Sequence, residues 1–247
     1  MDERILKELE LLPVARLYGL APARAGAVPV VAPSAPVVAA AAPVEAARRP
    51  PPAPPSEAPP GIATMDWEAL RHAVRECRRC VLCERRKQAV FGVGNESATW
   101  LFVGEGPGAD EDEKGEPFVG QAGKLLDGML AAMKLRRGRE VYIANVVKCR
   151  PPGNRIPAPE EAAACAAFLD RQVELLAPKI IVALGKTAAT RLTGSEASLG
   201  SLRGRVHAYR GIPLVITYHP AYLLRNLPDK AKAWEDLLFA GRTLAGA

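Results

Sequence analysis

The sequence of 247 residues is poor in aromatic residues and histidine, while proline is abundant. Aromatic residues make up 5% of the chain and only 3 residues are histidine, against 23 prolines. Hydrophobic residues still reach 49% and charged residues 24%, so a packed core is expected and complete disorder is excluded. Because these proportions do not describe one uniform globule, we expect segments of different composition.

The chain also lacks an apolar stretch at its start that would serve as a secretion signal, because Asp2, Glu3 and Glu8 interrupt it. The uncharged run from Ala25 to Val44 has the length of a membrane span, but prolines interrupt it and alanine dominates it. Five cysteines are an odd number, which argues against a secreted disulfide framework. We therefore expect a cytoplasmic protein without a membrane segment.

The first 60 residues divide into two segments of different composition. Residues 21–60 contain 14 alanines and 12 prolines, which bury little surface and restrict the backbone, so we expect a disordered linker. Residues 1–20 carry Ile5, Leu9 and Leu12 at helical spacing, which predicts a short amphipathic helix. Such a helix is either marginal in solution or docks on a partner or on the main domain.

Residues 61–247 carry the whole net charge of +6, since acidic and basic residues balance in residues 1–60. Their length suits a single domain, and the positive charge favours a polyanionic partner such as DNA. Apolar strands alternate with amphipathic helices, which predicts a parallel sheet covered on both faces. The predicted strands are 99–103, 141–147, 179–184 and 214–217, and the predicted helices are 64–76, 121–133, 159–176, 185–192 and 229–244. Because sites in such sheets lie at the carboxyl ends of strands, the following loops are the candidate site: 104–120, 148–158 and 218–226.

The cysteines form a pattern that predicts a metal centre. Cys77, Cys80 and Cys83 have C-x2-C-x2-C spacing, and Cys149 and Cys165 follow far downstream. Close thiolates with distant partners are typical of iron–sulfur ligation, which needs four cysteines. Zinc is the alternative, although structural zinc sites usually show two close pairs. Cys165 also fits a buried helix position among alanines, so the spacing leaves open which four cysteines bind metal.

Loops at the predicted strand ends carry candidate binding residues. Gly104-Glu-Gly-Pro-Gly108 follows a strand, and its glycines let the backbone approach a ligand closely. The segment lacks the lysine of a P-loop and precedes acidic residues, so it suits a neutral polar ring rather than phosphate. Phe118 fits either stacking on a base or ordinary core packing. His219 follows the last strand and is a hydrogen-bond donor with tunable charge.

The loop after His219 has an unusual composition. Leu223, Leu224 and Arg225 place two adjacent apolar side chains and a cation where polar residues are usual. Apolar side chains flanked by arginine are typical of segments that insert into DNA. We therefore predict a DNA-intercalating loop.

Together these residues resemble the family 4 uracil-DNA glycosylases, the thermostable type that carries a [4Fe–4S] cluster. The resemblance covers about residues 73–244, and its motifs follow the family's order: Cys77-x2-Cys80, Gly104-Glu-Gly-Pro-Gly108, Pro117-Phe-Val-Gly120, Asn145-Val-Val-Lys-Cys-Arg-Pro-Pro152 and His219-Pro220. It implies a three-layer α/β/α sandwich around a four-stranded, mainly parallel sheet. It also implies a monomeric, monofunctional enzyme that hydrolyses the N-glycosidic bond of deoxyuridine in DNA during base excision repair.

The same resemblance implies roles for individual residues. The implied cluster ligands are Cys77, Cys80, Cys149 and Cys165, so Cys83 is expected to be a spare thiol. The implied uracil pocket is lined by Gly104, Glu105, Gly106, Phe118, Asn145 and His219. The expected catalytic residues are Glu105, Asn154 and His219.

The chain departs from the family pattern in its first motif. Gly106 stands where the family often has alanine, and the motif contains no Asp to orient water as in family 1 enzymes. Glu105, Glu111 and Asn154 are therefore the candidates for that role, in that order. The segment 151–157 is short and lacks histidine, so the covalent trapping of DNA that a related group shows is not expected.

Asn145 and His219 are the residues expected to recognise uracil and to stabilise its anion. The Asn145 amide offers a donor and an acceptor, which can read the uracil edge and reject cytosine. His219 and backbone N–H groups would stabilise the uracil anion, and no lysine stands out as a nucleophile for a lyase step.

Two rival functions stay open. One is a non-catalytic nucleic-acid-binding iron–sulfur module tethered to a replication or repair partner, and the other is a metal-dependent nuclease using the acids of 109–113.

Overall fold

The computed structural model describes residues 61–246, which form an α/β domain around one six-stranded sheet. The predicted helix in residues 1–20 and the predicted linker in residues 21–60 lie outside the described residues. The strands are β1 Val93–Gly94, β2 Trp100–Gly104, β3 Val141–Asn145, β4 Ile180–Leu184, β5 His207–Tyr209 and β6 Ile212–Thr217. Their order across the sheet is β1-β3-β2-β4-β6-β5.

The helices alternate with these strands along the chain, as the sequence predicts. They are α1 Trp67–Arg75, α2 Ala109–Lys114, α3 Gln121–Ala132, α4 Pro159–Leu176, α5 Lys186–Thr193, α6 Leu199–Leu202, α7 Pro220–Leu223 and α8 Asp229–Ala245. Short 3-10 turns lie at Ile62–Thr64, Val81–Glu84 and Pro152–Asn154. None of the helices in residues 61–246 combines the length and the apolar character that crossing a membrane requires.

The sheet has six strands where four were expected. The central four, β3, β2, β4 and β6, are parallel and correspond to the predicted strands. Two short edge strands, β1 and β5, pair antiparallel with β3 and β6. These edges have 2 and 3 residues and are largely half-buried, so they carry no continuous apolar run that would mark them in the sequence.

Two hydrophobic cores on opposite faces of the sheet confirm the sandwich architecture. Successive strand residues point to opposite faces, so Leu101 and Val103 contribute to one core while Trp100 and Phe102 contribute to the other. The first core includes side chains of α1, α4 and α5, and the second includes side chains of α3 and α8. Helices therefore cover both faces, and ligands have access to the sheet only at its ends.

Two local predictions need correction. Helix α1 begins after Asp66 rather than after Thr64, because the Asp66 carboxylate accepts a hydrogen bond from the Ala69 backbone N at 2.9 Å. The Thr64 hydroxyl instead donates to the Gly61 carbonyl at 3.1 Å, within a 3-10 turn. The loop predicted at 104–120 also contains the acidic helix α2, which brings Glu111 toward the strand ends.

Candidate active site

A cleft of about 540 Å³ lies at the carboxyl ends of the central strands. Gly104 ends β2, Asn145 ends β3, and His219 follows β6, so the parallel strands deliver all three to one end of the sheet. Six residues predicted for the site line this cleft, namely Glu105, Gly106, Phe118, Asn145, Asn154 and His219. The expected site residues are therefore brought together, with Gly104 directly behind them.

Asn145 lies on the floor of the cleft with an unsatisfied amide oxygen. The residue is 2% exposed, and its Oδ1 has no hydrogen-bond partner among the described residues. A Cβ on Gly104 would lie 2.4 Å from this Oδ1 and 2.6 Å from Cζ of Phe118, so only glycine leaves room for both side chains. Because buried polar atoms are normally paired, this oxygen is positioned to accept a hydrogen bond from a ligand.

Phe118 forms a second wall and is held there by its backbone. Its φ angle of 55° is in the left-handed region, which is uncommon for an aromatic residue. Arg137 Nη2 donates to the Phe118 carbonyl at 2.9 Å, and Gly123 avoids a Cβ that would lie 1.8 Å from the same oxygen. The ring centroid lies 5.5 Å from that of His219 with a tilt of 30°. Nothing in the sequence pattern indicated Arg137, which acts from 19 positions away.

His219 presents a neutral imidazole to the cleft. Its Nδ1 accepts a hydrogen bond from the Ala221 backbone N at 3.2 Å, so the ring proton of the neutral form is on Nε2. Burial lowers the pKa of His219 to about 4, against the attraction of Glu111 and with the help of Arg225. Near neutral pH the ring is therefore an uncharged N–H donor.

Glu105 is anchored through one of its two carboxylate oxygens. Oε2 accepts a hydrogen bond from the Thr187 hydroxyl on α5, while Oε1 has no hydrogen bond to any of residues 61–246. The half-buried side chain lies at the cleft wall, so Oε1 is free to bind a water molecule or a substrate atom. Thr187 was missed in the sequence because it is distant along the chain and belongs to no recognised motif.

Glu111 and Asn154 are occupied by contacts within the protein. Glu111 Oε1 accepts from the backbone N of Val119 and Gly120 at 2.9 and 3.1 Å, and Oε2 accepts from Gly108 N at 3.0 Å. This carboxylate thus ties two site loops together. Asn154 is exposed at the rim, and its Oδ1 accepts from Arg150 Nε at 2.7 Å. Within the described residues, Glu105 keeps a carboxylate oxygen free and Asn154 keeps its amide Nδ2 free, whereas both Glu111 oxygens are occupied.

Gly106 packs closely against the side chain of Val147. A Cβ at Gly106 would lie 2.7 Å from Cγ2 of Val147, whose side chain is buried. An alanine would therefore require Val147 to move, which gives a local reason for glycine here.

The structure contradicts the predicted intercalating loop at one residue, Leu223, which is buried. Leu223 is 1% exposed and belongs to the one-turn helix α7, which directs it into the interior, so it is not an exposed wedge. Leu224 is 41% exposed, and Arg225 is exposed and lines the cleft. Tyr222, not singled out in the sequence, lines the cleft and stacks on Tyr218 with ring centroids 5.2 Å apart.

All five cysteines line a second cavity, together with Arg86 and Lys148. Every thiol is free of disulfide bonding. Arg86 Nη1 donates to Cys149 Sγ at 2.9 Å, and the Lys148 backbone N donates to Cys165 Sγ at 3.3 Å. Within residues 61–246, no group of three or more Cys, His, Asp or Glu side chains is arranged to hold a metal ion. Cys83 lines the same cavity as the expected ligands, although it was predicted to be spare.

Comparison with known proteins identifies the family. Residues 91–238 match the family model of the uracil DNA glycosylase superfamily. A type-4 uracil-DNA glycosylase of Thermotoga maritima is 48% identical over 167 residues, covering 67% of this chain and 86% of the relative. The chain belongs to the type-4 uracil-DNA glycosylases. Type-4 enzymes of Archaeoglobus fulgidus and Pyrobaculum aerophilum are 46% and 43% identical, over 64% and 70% of this chain and 84% and 92% of theirs.

The family match covers the part of the chain that forms the cleft. The matched residues 91–238 include every cleft residue described above, as well as Cys149 and Cys165. Cys77, Cys80 and Cys83 precede the matched region, so the cavity joins a segment outside the superfamily match to residues inside it.

Proposed function

We propose that this chain hydrolyses the N-glycosidic bond of deoxyuridine in DNA, releasing uracil and leaving an abasic site for base excision repair. The observation that carries this proposal is the buried, unpartnered Oδ1 of Asn145 beside Phe118 and His219. Its relatives of 43 to 48% identity named as type-4 uracil-DNA glycosylases support the same activity.

Recognition of uracil follows from hydrogen-bond complementarity on the cleft floor. Uracil has an N–H at ring position 3 beside a carbonyl at position 4, and an amide can accept from the first and donate to the second. Asn145 is the amide in position to do so, with Phe118 offering a ring for the base to stack on. Cytosine presents the reverse pattern on these atoms, so the same amide rejects it.

Bond cleavage places negative charge on uracil and positive charge on the sugar. His219 would donate its Nε2–H to the uracil oxygen at position 2 as charge develops there, because the neutral ring accepts at Nδ1 and carries its proton on Nε2. Glu105 would hold the attacking water through its free Oε1 and stabilise the cationic sugar. Thr187 restricts the Glu105 side chain, so the water is oriented before the bond breaks.

DNA must present the nucleotide outside the base stack for this chemistry to occur. Leu224 is an exposed apolar side chain next to the cleft residue Arg225, and it would fill the vacated position while Arg225 contacts the backbone. The net charge of +6 supports general attraction to DNA.

We propose that the cysteine cavity holds a [4Fe–4S] cluster with Cys77, Cys80, Cys149 and Cys165 as ligands, because the fold brings these thiols to one cavity. Four thiolates around such a cluster carry net negative charge, and Arg86 and Lys148 supply positive charge at the cavity. The N–H bonds to Cys149 and Cys165 are of the kind that stabilises coordinated sulfur. When bound, the cluster would cross-link the chain segments that carry its ligands.

Burial raises the pKa of the Cys149 thiol to about 11 and that of Cys165 to about 12. These thiols would stay protonated on their own, whereas a metal centre displaces such protons. We further propose that the protein works as a monomer in the cytoplasm, where free thiols persist. Its partner through residues 1–20 would be a replication or repair protein.

The decisive experiment incubates the anaerobically purified protein with an oligonucleotide containing one uracil, without divalent metal. We expect release of free uracil and an alkali-labile abasic site, and no product from the same oligonucleotide with thymine or cytosine. Binding without uracil release would instead support the non-catalytic module. Direct strand cleavage that requires divalent metal would support the nuclease.

A further inference from the structure

Lys148 is a buried lysine that bonds both the cysteine cavity and the residue that reads the base. It is 1% exposed. Its Nζ donates to the backbone carbonyl of Asn145 at 2.9 Å and to Gln172 Oε1 at 2.6 Å. Its backbone N donates to Cys165 Sγ at 3.3 Å. A single residue therefore connects the two sites of the domain.

The ammonium group of Lys148 donates its described hydrogen bonds to neutral acceptors, and the residue lines the cysteine cavity. Both acceptors of Nζ are amide oxygens, and Lys148 lines the cavity together with the thiols of Cys149 and Cys165. A buried cation is costly unless an opposite charge lies near. Thiolates around a bound cluster would supply that charge, so occupancy of the cavity would stabilise the ammonium group in place.

The Asn145 amide depends on its backbone for orientation. Its Oδ1 has no hydrogen-bond partner within the described part of the chain, so no hydrogen bond to this atom fixes the orientation of the amide. Gly104 leaves the space it occupies, and Lys148 anchors the carbonyl of the same residue. Gln172 is in turn fixed by its Nε2, which donates to the Phe91 carbonyl at 3.0 Å.

We propose that Lys148 is a positioning residue that couples occupancy of the cysteine cavity by a cluster to the orientation of the Asn145 side-chain amide. The inference rests on the proposed function, because it requires both a cluster and a uracil pocket. The negative cluster holds the ammonium group, and the ammonium group holds the end of β3 at Asn145. Uracil then meets a preorganised amide, which lowers the cost of binding.

The test compares Lys148→Met with Arg86→Met in the full chain, after iron loading. Both substitutions remove a positive charge near the cluster, but Arg86 bonds Cys149 and has no hydrogen bond to Asn145. Protein-film voltammetry should show a lower reduction potential for both variants, since a nearby cation favours the more negative reduced cluster. Calorimetry with free uracil should show affinity weakened about tenfold or more in Lys148→Met alone, the scale of a lost hydrogen bond to a charged group.

A double-mutant cycle separates positioning from general structural damage. If Lys148 acts through the amide, Lys148→Met should cost much less kcat/KM in an Asn145→Ala background than in the parent. Equal losses in both backgrounds would overturn the proposal. Wild-type uracil affinity in iron-loaded Lys148→Met, or equal weakening in Arg86→Met, would overturn it as well.

Gln172→Met tests the same link while leaving the lysine charge in place. The variant removes one of the two acceptors of Nζ, so we expect it to retain iron and to bind uracil several-fold more weakly. Unchanged uracil affinity in iron-loaded Gln172→Met would count against the coupling even if Lys148→Met failed to load iron. A parent protein that binds uracil and excises it, with neither variant affected, would refute the coupling alone. A parent protein that does neither would refute the proposed function.

Discussion

Gly104 and Asn145 are paired in register at the carboxyl ends of two neighbouring parallel strands, and the space above Gly104 is filled by the Asn145 amide oxygen. The contact explains why a residue without a side chain is needed beside the amide that we propose reads the base. A methyl group at Gly104 would displace Asn145, Phe118, or both, from the floor of the cleft.

Gly104→Ala should therefore lower uracil excision by roughly a hundredfold, the scale expected when a reacting group is displaced by about 1 Å. We also expect a loss of about 1–3 kcal/mol in the free energy of unfolding from overpacking. The matched control is Gly128→Ala, because a Cβ there meets no atom within 4 Å in helix α3. The control should excise at the parental rate and gain about 0.5–1 kcal/mol. Parental excision by Gly104→Ala would contradict the close packing of the pocket.

Asn145→Asp tests how the base is read. A carboxylate can only accept hydrogen bonds, and in its ionised form it repels the uracil carbonyl to which the amide would donate. Sites built to hydrogen-bond a particular group disfavour a mismatched partner by factors of about 10⁴ or more. Excision of uracil by this variant should therefore fall by several orders of magnitude. Affinity for uracil-containing DNA should change little, because phosphate contacts dominate it. A near-parental excision rate would show that another group reads the base.

His219 gives a prediction for the pH dependence of stability. Its pKa is about 4 in the folded protein against a usual value of 6.5, so below 6.5 the unfolded chain takes up the proton first. This contribution to stability is complete above about pH 6.5 and is lost as the pH falls toward 4. Between pH 7 and pH 5 the melting temperature of His219→Gln should therefore fall by less than that of the parent, which calorimetry would measure. An identical pH dependence in both proteins would contradict the buried neutral imidazole.

Most of the cleft could be predicted because its residues follow strands. Asn145 ends β3 and His219 lies two residues after β6, and parallel strands end at the same side of the sheet, so topology brings them together. The strand predicted at 141–147 ends two residues earlier in the structure, so the strand pattern alone would have left Asn145 within the strand. The hydrogen bond between Thr187 and Glu105 could not be predicted, since no local pattern joins residues so far apart along the chain. It is created by the approach of α5 to the end of β2, which only the folded structure determines.

Leu223 and Leu224 show why exposure was harder to predict than position. Two adjacent leucines after a strand are equivalent in composition, and both were expected to face DNA. A single helical turn from Pro220 to Leu223 directs the first inward and leaves the second in solvent. The edge strands β1 and β5 were missed for a related reason, because so few residues carry no periodicity.

This difference between the two leucines predicts opposite effects of two alanine substitutions. Leu224→Ala should leave the melting temperature unchanged and slow excision from duplex DNA, with less effect on single-stranded DNA, where no stack has to be refilled. Leu223→Ala should instead cost about 2–5 kcal/mol of stability, as for other buried leucines. The measurements are thermal unfolding and single-turnover excision on both substrates. Equal slowing on both substrates by Leu224→Ala would contradict its role in filling the stack.

The cysteine cavity gives the last prediction, which concerns the metal. Protein purified anaerobically should be brown and contain about four irons per chain, as four thiolates holding one [4Fe–4S] cluster require. Cys149→Ala should lose both the colour and the soluble yield, because this buried thiol is a proposed ligand and metal binding is linked to folding. Cys83→Ala is the matched control, since its half-exposed thiol lines the same cavity but is not among the proposed ligands. Loss of iron in Cys83→Ala together with its retention in one of the four others would reassign the ligands, and a colourless protein with one zinc would refute the cluster.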